Sequence, residues 1–260
     1  MLVMFFICSI YLQPATTLTT RRFGLAAGAE VWQRFEMASA PHPPYVYHIT
    51  AIPNLIRIAQ SGRLLSKSRM VAAGRAHDNI AYENIQDRRS RPAVPVGPGA
   101  VLHDYVPFHF APRQPMLMAL HKQNVPDCVF DQTQIVHLVL RADQIAQAGL
   151  PYVISTHHAV TMLATFHDTM DGLNDIDWDM FFDPPLIGGY ARYFHNPPDK
   201  PEYATRRESR QAEILVRDEV PLEFVRGIGV FGGARRQEVE GILDRAGWTV
   251  KVDAKPEWYF

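Results

Sequence analysis

In Arg207-Glu208-Ser209-Arg210-Gln211-Ala212-Glu213-Ile214-Leu215-Val216 a charged run passes directly into an apolar, β-like run, with a lone carboxylate at the junction. Read as a strand from Gln211 to Val216, the segment alternates its side chains. Gln211 and Glu213 then share one face, while Ala212 and Ile214 take the other. An amide and a carboxylate two positions apart can grip a sugar diol or hold an attacking group beside one. Arginines just upstream suit phosphates, because guanidinium matches their oxygens in a planar fork. One short segment therefore combines the requirements of a nucleotide sugar with those of a polyanion.

The surrounding chain is that of an ordinary globular protein: 260 residues, 47% hydrophobic and 20% charged, which is enough to bury a substantial core. Its formal net charge of −1 excludes global attraction to nucleic acid, so any such binding needs a local basic patch. Cys8 and Cys128 are the only cysteines, too few for a disulfide framework or a thiolate zinc site, and a reducing cytoplasm is expected. Eleven histidines raise the question of a metal. None falls in a metal-ligand pattern, and the adjacent pair His157-His158 would face opposite ways on a strand, so no metal is expected.

The first forty residues stand apart. Met1 to Leu12 is apolar but too short to span a bilayer, and it lacks the preceding basic residue of a signal peptide. A signal peptide, an extra helix, or residues upstream of the true start compete, and Met37 is the favoured alternative start. Residues 1–40 are thus an extension of doubtful origin and 41–260 a single domain, with no membrane span.

Along that domain, Tyr45 to Thr50 reads as a strand rich in aromatic and β-branched residues. Ile52 to Gln60 reads as a helix stopped by Gly62, and Leu64-Leu65 as a return to strand. Ile85 to Arg89 extends a helical turn, and Pro92 to Gly99 is loop. Val106 to Phe110 is apolar and aromatic, Met116 to His121 begins a helix, and Gln134 to Leu140 is the cleanest buried strand. A helix over Ala142–Gly149 and a strand over Tyr152–Ser155 follow. Residues 157–205 read as an irregular insertion with five aspartates between 171 and 183. Strands at 224–230 and 248–252 flank a helix over 237–246. Short helices between antiparallel-compatible strands indicate an α+β fold.

Several groups can carry chemistry. His48 and Thr50 share a strand face, where an imidazole and a hydroxyl can hold a ribose or an amide; a half-buried structural histidine is the bland alternative. Arg88-Arg89-Ser90-Arg91 is either a solvated basic run or a pyrophosphate or nucleic-acid clamp. Pro107 to Met118 mixes aromatics, prolines and methionines, and the rings of Phe108, His109 and Phe110 can line a cleft in which an unpaired base stacks. Glu213 draws its weight from Gln211 and from the upstream arginines.

The segments YHIT (47–50), AYENIQDRRSR (81–91), LHDYVPFHFAPRQPML (102–117), IVHLVL (135–140) and RQAEILV (210–216), in this order, closely resemble the DarT family of DNA ADP-ribosyltransferase toxins. The likeness runs from Tyr45 to Phe260. It implies an ADP-ribosyltransferase-like α+β fold, with split antiparallel sheets around an NAD cleft and peripheral helices. It also implies transfer of ADP-ribose from NAD onto a thymine of single-stranded DNA, and a macrodomain antitoxin that removes the mark. By motif, His48, Ile49, Thr50, Arg57 and Leu65 match cofactor-binding positions. Arg89 matches a position touching both NAD and the reaction centre, and Glu213 is the catalytic glutamate. His109, Met116, His158 and Arg207 match positions near the DNA base or its phosphates, and Arg210 joins Arg207 as a candidate for the DNA backbone by its placement. The family usually carries tyrosine at the position of His109, another aromatic at Met118 and glycine at Arg57. A cytoplasmic monomer is expected.

Two rivals remain on the residues. An NAD-dependent enzyme acting on RNA or protein would present similar histidines and arginines. A non-catalytic nucleic-acid-binding module would keep the shell without NAD cleavage.

Overall fold

A computed structural model describes residues 44–74, 77–182 and 201–260. The expectations for residues 1–40, Met37 included, lie outside the described residues, as does most of the later half of the 157–205 insertion.

Among the described residues ten strands and eight α-helices follow one another: β1 Tyr45–Ala51, α1 Asn54–Ser61, β2 Arg63–Leu65, α2 Lys67–Ala72, α3 Glu83–Arg89, β3 Tyr105–His109, α4 Pro115–His121, β4 Ile135–Arg141, α5 Ala142–Gln147, β5 Tyr152–Ser155, β6 Phe166–His167, α6 Asp179–Phe182, α7 Arg206–Ser209, β7 Glu213–Arg217, β8 Glu219–Pro221, β9 Gly227–Val230, α8 Gly233–Ala246 and β10 Val252–Ala254. The main sheet has the order β10-β9-β4-β1-β3-β7-β5-β6, and β2 with β8 forms a small second one. Only β9–β10 is parallel. The α+β expectation and its antiparallel character therefore hold.

Pairing strength varies sharply across the main sheet. β1 pairs with β4 over its full length, from Tyr45 opposite Arg141 to Ala51 opposite Ile135. β3 pairs with β7 along its whole length, from Tyr105 opposite Arg217 to His109 opposite Glu213. Between β1 and β3 there is one pair only, Tyr47 opposite His109. Past that point the two halves part. Pro107 sits at the parting. Its carbonyl accepts a hydrogen bond from Nδ1 of His48 at 2.9 Å, and it has no N–H with which to extend the ladder. A side chain takes the place of a strand-to-strand bond, and the sheet opens into a cleft.

Alternation along each strand decides what faces that cleft. In β7, Ile214 and Val216 enter the main core with Val106 and Phe108 of β3, so Glu213 takes the opposite face with Leu215. In β4, Val136, Leu138 and Leu140 enter the same core, joined by Leu55 of α1 and by Val239 and Leu243 of α8. The alternate residue His137 is fully buried between the carbonyl of Pro112 (3.0 Å) and the hydroxyl of Tyr259 (3.3 Å), so it is a satisfied core histidine. α1 ends where Gly62 adopts the left-handed region at φ 68°, its N–H bonding the carbonyl of Ala59.

Three local expectations shift. β7 begins at Glu213, and Gln211 lies in the preceding turn, where its side-chain amide donates to the carbonyl of Arg207 at 2.8 Å. The predicted pairing of Gln211 and Glu213 on one strand face is therefore incorrect. The strand expected from Phe224 starts at Gly227, after a 3-10 turn over Leu222–Phe224. The strand expected over 248–252 is displaced to Val252–Ala254, where it can pair with β9. Among the described residues, no helix is long and apolar enough to cross a membrane.

Candidate active site

The opening between β1 and β3 widens into a cavity of about 430 Å³. β1 supplies His48, Ile49 and Thr50, α1 supplies Arg57, β2 supplies Leu65 and α3 supplies Arg89. His109 from the end of β3, Met116 from the first turn of α4 and His158 from the loop after β5 complete one side. Nine residues singled out from the sequence thus line one wall system, although they span more than a hundred positions. Its charged lining consists of Arg57, Arg63, Lys67 and Arg89 against the single carboxylate of Asp78.

Glu213 does not form part of the wall. It is fully buried, directly behind residues that do. Arg89 donates from Nη1 to both of its carboxylate oxygens, at 3.2 and 3.3 Å, and the backbone N–H of Ala159 donates to Oε1 at 3.1 Å. The carboxylate does not protrude into the cleft: it lies one layer deeper, held by a cation that itself faces the cavity. Burial alone would push its carboxyl up. The Arg89 guanidinium, with smaller contributions from His109, His158 and the Ala159 N–H, overrides this and holds it below the usual carboxylate range. Glu213 is therefore a fixed negative charge.

Arg89 is the last residue of α3 and 8% exposed, whereas its neighbour Arg88 reaches out to the carbonyl of Val160 at 3.2 Å. Successive helical residues diverge by about 100°, so the two arginines of the basic run separate into a buried and an exposed one. Nη2 of Arg89 is shielded and has no hydrogen-bond partner, and the same holds for Nδ1 of His109. Unsatisfied buried donors and acceptors are costly unless a function requires them. Burial lowers His48 and His158, and it pushes His109 down to about 4, so all three present neutral imidazoles at pH 7.

One structural element escaped the sequence reading. Asn54, buried in the first turn of α1, donates to Oγ1 of Thr50 (3.1 Å) and to the carbonyl of Asp78 (3.0 Å). Its Oδ1 accepts from the Asp78 N–H (2.9 Å) and from Arg57 (3.2 Å). The Arg57–Asp78 ion pair at 2.9 Å adds a second tie. The 77–82 segment, which forms one cavity wall, is thereby clamped to α1. Nearby, Lys67 donates to Nε2 of His77 at 3.3 Å, which requires a neutral imidazole. Asparagine early in a helix is the available signal, since its side chain competes with the helix backbone unless engaged elsewhere.

Two arginines proposed for DNA contact behave differently. Arg207 has a side chain 58% exposed and pairs with Glu208 at 2.7 Å. Arg210 is 4% exposed and donates to the carbonyls of Met180 and Phe181. Arg210 is thus a structural tie between α6 and the approach to β7, and its assignment to DNA is withdrawn. Among the described residues, no group of three or more His, Cys, Asp or Glu is placed to hold a metal ion.

Comparison with known proteins gives the family of the chain. The profile of the family described as "ssDNA thymidine ADP-ribosyltransferase, DarT" matches residues 47–260. A DNA ADP-ribosyl transferase from Thermus aquaticus is 39% identical over 203 residues, covering 78% of this chain and 82% of the relative. The structure of Thermus sp. 2.9 DarT in complex with ADP-ribosylated ssDNA superposes with a TM-score of 0.75 at 34% identity, covering 86% of this chain and all of that one. The same protein in complex with NAD+ gives a TM-score of 0.71 at 32% identity, with 85% and 100% covered. With every residue of the cavity lining inside the matched region, the chain belongs to the DarT family of ssDNA thymidine ADP-ribosyltransferases.

Proposed function

We propose that this protein transfers ADP-ribose from NAD onto a thymine of single-stranded DNA, and acts as the toxin of a toxin–antitoxin pair. The observation that carries the reading is the buried Arg89–Glu213 pair, with Arg89 in the cavity wall and Glu213 directly behind it.

In this assignment NAD lies along the cavity. Its pyrophosphate meets the cationic side supplied by Arg57, Lys67 and Arg89, since guanidinium and ammonium groups offer charge-assisted hydrogen bonds to phosphate oxygens. Its nicotinamide end lies against His48, Ile49 and Thr50, whose strand is fastened on one side along its length to β4 and on the other by the Tyr47–His109 pair and the His48–Pro107 bond. Leu65 supplies an apolar contact. Cleavage of the nicotinamide–ribose bond builds positive charge on the sugar, as in glycoside chemistry. A carboxylate that remains ionised in a water-excluded setting stabilises that charge where it develops. Glu213 is held in that state by Arg89, which also orients the reacting groups. A guanidinium stays protonated, so Arg89 contributes charge and hydrogen bonds, not proton acceptance.

On the acceptor side, His109, Met116 and His158 surround the incoming base, and Arg207 contacts the strand's phosphates. An unpaired base reaches the sugar carbon without the cost of unstacking a duplex. A macrodomain partner that removes the mark, and a monomeric cytoplasmic enzyme, complete the reading.

The test is incubation with labelled NAD and separate single-stranded DNA, RNA and protein acceptors, for the native protein and for Glu213→Ala. Label on DNA that disappears in the variant, with the fold retained by circular dichroism, is expected. Label confined to RNA or protein, or full activity of Glu213→Ala, refutes the assignment.

A further inference from the structure

The transfer described above releases a proton for which no acceptor has yet been assigned. When the thymine imide nitrogen bonds to the ribose carbon, its N–H electron pair becomes the new N–C bond. The electron pair of the broken glycosidic bond departs with neutral nicotinamide, and the imide proton must leave to a base. Arg89 has no lone pair to offer. Glu213 stands behind the wall, outside the cavity lining, with both oxygens engaged by Arg89 and the Ala159 N–H.

We propose that His109 is the residue that accepts this proton, with Glu213 stabilising the imidazolium that results; the proposal rests on the transfer reaction assigned above. Four observations place it there. Its ring lines the cavity at the end of β3. It stands directly opposite Glu213 in the β3–β7 ladder, so the two side chains share a face with Cβ atoms about 5 Å apart. Its Nδ1 is shielded and has no hydrogen-bond partner, so the ring can turn about its second side-chain torsion without breaking a bond there, presenting either nitrogen to a base. Its backbone is fixed by Tyr47 on one side and Glu213 on the other, which confines the ring to the boundary between the two half-sheets. Its neutral form, maintained by burial, is the one that can receive a proton, and the nearby carboxylate opposes that lowering.

The other cavity histidines fit less well. His48 spends Nδ1 on the Pro107 carbonyl, and no carboxylate acts on it. His158 feels the same carboxylate, but it sits on a loop instead of a paired strand and is not opposite Glu213 in the ladder. In this chain the acceptor nitrogen is therefore deprotonated by a strand histidine that borrows its charge stabilisation from the carboxylate assigned to the sugar.

The experiment uses the full chain, single-stranded thymidine oligonucleotides and NAD. His109→Phe keeps an aromatic ring of similar shape and removes both nitrogens. Single-turnover transfer is expected to fall by about 10²- to 10⁴-fold, the usual weight of a general base. NAD affinity, read by calorimetry, is expected to stay within about threefold, because the loss falls on a step after binding. His109→Ala opens space, and added imidazole is expected to restore part of its transfer rate in proportion to the free-base concentration. Transfer by His109→Phe at near the native rate, a loss confined to NAD affinity, or no imidazole rescue in a folded His109→Ala protein overturns the proposal. If the native protein places no label on any DNA, the transfer reading itself fails first, and the two failures are thereby distinguished.

Discussion

Removing Arg89 should destabilise the protein before it affects any chemistry. In the native fold Glu213 is 0% exposed and Arg89 makes two of its three hydrogen bonds. Arg89→Ala leaves the Ala159 N–H as the remaining donor to a carboxylate far from water. Breaking a buried pair from one side costs about 3–5 kcal/mol, chiefly because the surviving charge is uncompensated. For a domain of this size each kcal/mol moves the melting temperature by roughly 2–4 °C, so a fall of about 6–20 °C is expected at pH 7.5. The deficit must depend on pH with a definite sign. In the native protein Glu213 is held below its ordinary value, so its contribution to stability is present above the unfolded carboxylate range and fades as pH falls through the folded value. In the variant the guanidinium no longer opposes burial and the carboxyl shifts upward, so that protein loses stability as pH rises through the raised value. The two melting curves should therefore converge toward acid pH. Differential scanning calorimetry between pH 5 and 8 measures this directly. The double variant Arg89→Met/Glu213→Gln removes both charges and should recover at least half of the lost melting temperature. A single Arg89→Ala variant that melts within about 2 °C of the native protein at pH 7.5, where at least ~6 °C is expected, refutes the reasoning, as does a deficit that is flat across pH.

The other predictions separate clamp, contact and scaffold. Asn54→Ala removes the side chain that ties the 77–82 segment to α1 and leaves buried backbone groups of Asp78 unpaired, which costs about 1–3 kcal/mol; the affinity for NAD should weaken more than the turnover rate, as calorimetry and steady-state kinetics would report. Arg207→Ala should weaken oligonucleotide binding across sequences and reduce the salt slope by about 1, with stability unchanged, read by fluorescence anisotropy over a salt series. Arg210→Ala should do the converse, lowering the melting temperature while leaving the salt slope intact, because its guanidinium is spent on the Met180 and Phe181 carbonyls.

Much of the architecture was legible in the chain because it is local. Aromatic and β-branched content marks β1 and a continuous apolar run marks β4 within a residue or so, and Gly62 marks the end of α1 through its left-handed backbone. The ordered blocks from YHIT to RQAEILV carry the family and most of the cavity lining, since each block is a continuous segment whose residue types meet a local chemical demand. The errors share a different cause. β7 starts two residues late and β10 is displaced, because a strand begins where its neighbours offer a ladder, and those neighbours come from distant sequence.

The same reason divides the site. Which residue types are present, and the expectation that Arg89, His109 and Glu213 serve one chemistry, come from the sequence and from its resemblance to a family. That Glu213 is withdrawn behind the wall, that Arg88 and Arg89 part company, that Arg210 is consumed by the scaffold and that Asn54 clamps a wall segment were decided by packing. Burial and hydrogen-bond partnership are properties of surfaces assembled from remote segments. A lone carboxylate in a sequence has no depth until the strands around it close; that depth works against its charge, and the guanidinium facing it is what keeps it charged.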